Sequence, residues 1–234
     1  MTSSRLKHLL RPLSVCLLAA CGTIAQTAIF NAPSTDTQEA NTTNISADFS
    51  AHFASYRKGG FVTYGPSMIH GLRDDLELGL NLYLTRHEGP DAAELQPHIK
   101  WRFLDEDKAG IAVAVGSVLF LPLNDAAGPR PQLAIYANAA RSFKDLRLTV
   151  GAYHVATTEE GFGNRSGAFA GLEKPLNDKI TIVADWISGN NKLGHGTAGL
   201  RYAVNSAQTL ELGYSFGNSG RGNNYLSAFY SFDF

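Results

Sequence analysis

From Ile45 to the last residue, apolar and polar side chains alternate at every second position, the pattern of strands with one apolar face. The clearest run sets Leu76, Leu78, Leu80, Leu82 and Leu84 against Glu77, Gly79, Asn81, Tyr83 and Thr85. Ile45 to Phe53, Leu95 to Phe103, Ala198 to Val204, Leu210 to Phe216 and Leu226 to Phe234 repeat it. The segment around Phe61 to Leu72 is weaker, with Gly65-Pro66 near its middle, and Ile111 to Leu121 is almost continuously apolar. Two hairpins follow from short turn signals: Leu133–Phe143 with Leu146–Ala156 across Lys144-Asp145, and Ala168–Lys174 with Ile180–Ser188 around Asn177-Asp178. Pro97 has no N–H for a ladder, so a bulge or break is expected there. The pattern predicts an all-β chain of about twelve strands, with ten or fourteen as the neighbouring even counts.

The first residues read differently. Arg5, Lys7 and Arg11 precede a short apolar stretch from Leu13 to Ala20, the layout of an export signal over residues 1–25. Leu18-Ala19-Ala20-Cys21 also fits a lipobox, which would make Cys21 the lipidated first residue; cuts after Ala25 or Ala28 are the other options. Residues 26–44 are polar and are expected to be a flexible periplasmic lead-in to a barrel spanning 45–234.

Composition narrows the class. A net charge of −1 offers no basic excess for nucleic acid, and the only cysteines, Cys16 and Cys21, leave no disulfide or cysteine metal site downstream. After the N-terminal stretch no apolar run reaches the roughly 20 residues of a membrane helix. Alternating strands escape that test, so a membrane barrel stays open.

A soluble sandwich also alternates. Three features favour a single up-and-down antiparallel transmembrane β-barrel. Acids and bases share the polar face: Glu77, Glu94, Lys100, Arg102, Arg147, Glu173, Asp185, Arg201 and Glu211, with His98 among them. Alternate connections are tight (Arg73 to Asp75, Lys144-Asp145) or longer and glycine-rich (Arg86 to Ala93, Thr157 to Arg165), as short periplasmic turns and long external loops require. The C-terminal residues Tyr230, Phe232 and Phe234 share the apolar face and resemble the terminal signature that outer-membrane assembly machinery recognises. Aromatics gather toward both strand ends, Trp101, Phe143 and Tyr202 at one and Tyr64, Trp186 and Tyr214 at the other, as lipid-facing girdles do.

Gly59-Gly60-Phe61, Tyr64-Gly65-Pro66, Glu94-Leu95-Gln96-Pro97 and the run from Ala184 to Asn191 resemble uncharacterised porin- or transporter-like outer-membrane β-barrel proteins of Gram-negative bacteria. The resemblance implies a location and carries no functional residue with it.

Catalytic signals are weak. None of the histidines has a serine two residues later, His195-Gly196-Thr197 being the nearest approach, and Arg73-Asp74-Asp75 is a poor match to a protease rim. No HExxH, Cys/His cluster or phosphate-binding glycine loop occurs, so neither an enzyme nor a cofactor is expected. The expected partners are outer-membrane lipid, the assembly machinery and small solutes. Glycine and alanine recur at inward positions, including Gly79, Gly116, Gly151, Gly171, Gly199 and Gly213. They suggest room for a narrow water-filled passage lined by the charges named above. A filled structural or adhesive barrel and a lipid-modifying enzyme are the alternatives.

Overall fold

The computed structural model describes residues 27–219 and 224–234. The export signal, the cut after Ala25 and the lipidation of Cys21 lie outside the described residues. Twelve antiparallel strands close into one barrel in sequence order. They are β1 (Thr43–His52), β2 (Phe61–Arg73), β3 (Leu76–Arg86), β4 (Ala92–Leu104), β5 (Ala112–Pro122), β6 (Gln132–Phe143), β7 (Leu146–Ala156), β8 (Ser166–Pro175), β9 (Ile180–Ile187), β10 (His195–Asn205), β11 (Gln208–Gly217) and β12 (Tyr225–Asp233). Closure comes from β1 pairing with β12, Asn44 opposite Asp233 through Ala51 opposite Leu226, so neither terminal strand is left with an unpaired edge.

The alternation works as the sequence predicts. Leu78, Leu80, Leu82 and Leu84 point outward and are 36–42% exposed, while Glu77, just before them, is 1% exposed. The same outward face carries Ile135, Val150, Leu200 and Leu212, all exposed. An apolar belt that surrounds a closed barrel has no stable place in water and is the surface that a bilayer covers. Outward aromatics sit near the strand ends: Trp101 against Phe103 and Tyr230 against Phe232 at one end, Tyr214 against Phe216 at the other.

At Pro97 the structure shows the local break and not the bulge. β4 pairs with β3 through Pro97 opposite Leu80. On its other side the pairs with β5 resume at His98–Val118 in the register set by Leu95–Leu121. The ladder opens at Pro97 without slipping, and the register shift in this hairpin lies at Arg102–Leu104 instead. Pro66 behaves alike, paired with Ala47 on β1 while the β2–β3 register holds from Tyr64–Leu84 to Ser67–Asn81. An open ladder on one side removes the need for the missing N–H, so no bulge is required.

One connection holds a short helix that the strand pattern does not predict, α1 (Glu106–Ala109), between β4 and β5. The Asp105 side chain caps it by accepting the Asp107 N–H, and Gly110 ends it at φ 72°.

The largest departure is at the N-terminus. Residues 27–38 do not form a flexible lead-in; they fold back inside the barrel. Ile29 and Ala32 are fully buried, as are Ser34 and Thr35, and Phe30 is 5% exposed. Ala28 bridges to Pro33, and the Ile29 N–H donates to the Ala32 carbonyl, making a tight hairpin. The reason is complementarity. The segment offers two large apolar side chains and a row of backbone polar groups, and the lumen offers glycine hollows and charged side chains to receive them.

Candidate functional site: the plugged lumen

The charged residues expected to line the lumen are on lumen-facing positions, but most of them hold the hairpin. The Asp185 carboxylate on β9 accepts three consecutive backbone N–H groups, those of Phe30 (3.2 Å), Asn31 (2.6 Å) and Ala32 (2.7 Å). Lys100 on β4 donates to the carbonyls of Thr27 (2.6 Å) and Asp36 (2.5 Å) and lies 3.1 Å from Glu77 on β3. Glu77 in turn accepts the Gln38 N–H at 2.8 Å.

Arg201 on β10 bonds the carboxylates of Glu211 and Glu173, each at 2.8 Å, and also donates to the carbonyls of Ala28 and Ile29. Arg147 on β7 joins Asp36 and Thr35 of the hairpin to Glu106 of α1. Asn138 donates to the Pro33 carbonyl, and the Asn31 amide donates to Thr197 and Ser215. Burying these charges without partners would be costly. Here the N–H groups of Phe30, Asn31, Ala32 and Gln38 meet carboxylates, and the carbonyls of Thr27, Ala28, Ile29, Pro33 and Asp36 meet lysine, arginine or amide donors on the wall.

Glu94, His98 and Arg102 stand apart from the hairpin. Glu94 accepts from Gln96 (2.6 Å) and from Lys192 of the β9–β10 connection (3.4 Å). The His98 ring covers Gly79, and Arg102 donates to the Asp74 carbonyl and pairs with Asp105.

The small inward residues leave less room than their size suggests, because a neighbouring side chain occupies each hollow. A Cβ on Gly171 would come within 2.3 Å of Ile29, one on Gly213 within 2.5 Å of Phe30 and one on Gly199 within 3.1 Å of Phe30. Tyr136 fills the hollow at Gly116, and Phe169 the one at Gly151. Phe30 packs on Phe229 at 5.0 Å between ring centroids. Ile29 and Phe30 join a buried cluster with Phe120, Tyr153, Val155, Phe162, Phe169 and Val183. Each of the two hairpin side chains contributes about 1.5–3 kcal/mol by burial. Gly213→Val is therefore expected to push Phe30 out of its seat at a cost of about 1–3 kcal/mol. Limited proteolysis of the folded barrel would then cut the N-terminal segment faster; unchanged protection would show that Phe30 does not seat there.

The lumen is asymmetric. On the β5–β11 side its residues are buried, among them Asn138, Thr149, Thr197, Thr209 and Ser215. On the β1–β4 side Ser46, Glu77 and Lys100 are buried, but beyond them the lumen residues are only partly buried and polar: Asp48, Ser50, Thr63, Ser67, Asn81, Tyr83, Glu94, Gln96 and His98. They bond chiefly to one another. Ser46 bonds Asp48 and Ser67, Tyr83 donates to Asp48 at 2.7 Å, and Asn81 donates to Gln96 at 3.4 Å.

The external mouth is narrowed by two connections. Phe162 of the β7–β8 connection reaches the buried cluster, and the Asn191 side chain donates to Tyr153 at 2.8 Å. Lys192 places its ammonium 3.9 Å from the centroid of the Phe120 ring. Burial there lowers the Lys192 ammonium from the ordinary lysine value, while Glu94 and Glu159 pull the other way.

Outside the lumen, one pair bears on the enzyme alternative. His154 on β7 and Ser166 on β8 face each other across the ladder, with Nδ1 and Oγ 2.8 Å apart near the external rim. No His-x-Ser search along one strand could find a pair split between two. Among the described residues, no group of three or more His, Cys, Asp or Glu side chains is arranged to hold a metal.

A closed twelve-stranded barrel with an apolar belt and a polar interior defines an outer-membrane β-barrel by fold. No family model matches the chain, and no curated relative does. Among solved structures it is similar to the KdgM porin, at 8% identity and a TM-score of 0.59, covering 82% of this chain and 99% of that one. It is also similar to Omp33 of Acinetobacter baumannii (6%, TM-score 0.51, 84% and 99%) and to outer membrane phospholipase A of Escherichia coli (11%, TM-score 0.50, 90% and 98%). At these identities the likeness is one of fold alone, and it is shared by a porin and an enzyme.

Proposed function

We propose that the chain is an outer-membrane channel of narrow bore, in which the N-terminal hairpin fills one side of the lumen and small polar solutes pass along the other. The observation that carries this reading is the partly exposed polar strip on β1 to β4, from Asp48 and Ser67 to Gln96 and Glu94, beside a hairpin that buries the opposite wall. A barrel filled for rigidity alone has no need of a polar strip left open beside its plug. Glu94 and His98 lie on that strip and set its character, whereas Glu77, Lys100, Arg147, Glu173, Asp185, Arg201 and Glu211 seat or brace the hairpin. Tyr230, Phe232 and Phe234 serve assembly in this reading.

Liposome swelling tests it. Vesicles carrying the refolded protein are expected to admit glycerol and small sugars at rates that fall steeply with solute size. Swelling no faster than in empty vesicles would sink the proposal.

The His154–Ser166 pair favours a second reading, hydrolysis of a lipid ester at the outer rim, since a histidine in hydrogen-bond reach can activate a serine hydroxyl. On the channel reading, purified barrel in phospholipid micelles releases no fatty acid. Release that disappears in Ser166→Ala would put the enzyme first.

A further inference from the structure

We propose that the external mouth is a binding site for a neutral saccharide. The mouth holds a cavity of about 570 Å³, within the range that takes a small organic ligand. Its lining combines Phe61, Tyr225 and His195 with Asn190, Glu159 and Lys192.

The rings form a continuous wall. Phe61 lies 5.9 Å from Tyr225, and Tyr225 lies 5.0 Å from His195, centroid to centroid, tilted at 59° and 73°. His52 continues the row at 6.2 Å from Phe61. The tilted contacts fix Phe61, Tyr225 and His195 in place, while His52 stacks on Phe61 at 24° between ring planes. An aromatic face is weakly negative, and the C–H groups on the face of a sugar ring are weakly positive, so the two fit. The edge of the same sugar carries hydroxyls, each both donor and acceptor. That edge suits a rim offering a carboxylate, an amide and an ammonium, which between them donate and accept.

Charge selects the class. Among the described residues that line the cavity, Lys192 is the one lysine or arginine; Glu159 opposes it in sign and Glu94 lies 3.4 Å from its ammonium, so the lining presents no unpaired cation to an acidic ligand. A wholly apolar ligand would strip water from Glu159 and Lys192 and give nothing back. An inorganic ion would make no use of the ring wall. The inference rests on the channel reading only in naming what its mouth would hold, because binding can be measured without flux.

The experiment uses the full chain, refolded in detergent, with saturation-transfer NMR and calorimetry against maltose and cellobiose, and with digalacturonate as the acidic probe. Both neutral disaccharides are expected to bind, with Phe61→Ala weakening them about tenfold through loss of one stacking face. Lys192→Gln should leave neutral binding within a few fold. Phe61 does not touch the hairpin anchors described above; Tyr225→Ala is the second variant, and heat-modifiable gel migration reports folding of each. Binding of digalacturonate alone, abolished in Lys192→Gln, would overturn the neutral class. Binding of none of the three, or neutral binding indifferent to both ring variants, would overturn the site. Failed binding with normal swelling rejects the saccharide site and spares the channel, while binding without flux does the reverse.

Discussion

Deleting residues 27–38 is expected to raise single-channel conductance severalfold, with the barrel still folding and still migrating as a heat-modifiable species. The hairpin contributes few contacts to the ladders that close the barrel; its bonds run to side chains on the inner wall. Its removal empties the hollows over Gly171, Gly199 and Gly213 and frees the space taken by Ile29 and Phe30. A twelve-stranded barrel lies between small filled barrels and wide aqueous pores, so filling decides how much of its bore is usable. Asp185→Ala should produce part of the same rise in the intact chain. It strands three N–H groups, two of them buried and costing about 1–3 kcal/mol each if left without an acceptor. Unchanged conductance in both variants would mean that the hairpin does not restrict the path.

Arg201→Ala carries the largest expected effect on stability. Glu211 is 2% exposed and Glu173 is 10%, and both are bound by this one guanidinium. Removing it leaves two carboxylates facing each other without a cation, a loss of about 3–5 kcal/mol for breaking a buried pair. Two hairpin carbonyls lose their donor as well. The unfolding temperature, read from gel migration, should fall clearly. Arg201→Lys should recover only part of it, because one ammonium cannot span both carboxylates and the carbonyls as the planar fork does. Adding Glu173→Gln and Glu211→Gln to Arg201→Ala should restore most of the loss. Wild-type stability in Arg201→Ala alone would show that these carboxylates are not buried as described.

The strands were legible because a one-residue slip in a barrel exchanges its lipid and lumen faces, so every strand must declare its phase in the sequence. Leu76 to Leu84 and Leu226 to Phe234 do so plainly. The inward position of Glu77, Lys100, Asp185 and Arg201 followed from the same phase, but what they bind did not. Alternation shows which way a side chain points and is silent on what lies inside. The hairpin escaped because residues 27–38 have no period and sit in a stretch rich in Ser, Thr and Asp, which reads as lead-in. Two signals pointed the other way: Ile29-Phe30 is an apolar pair with no strand to belong to, and the lumen carries more charge than a narrow passage needs. The capped helix α1 was readable as well, from Asp105 before it and Gly110 after it. His154–Ser166 was not, because it depends on the β7–β8 register.

The most direct test of a hairpin-narrowed channel is single-channel recording of the intact, refolded protein in planar bilayers. Small, steady, ohmic steps that grow when residues 27–38 are deleted are the predicted result. A correctly folded barrel that stays silent both with and without the hairpin would contradict it.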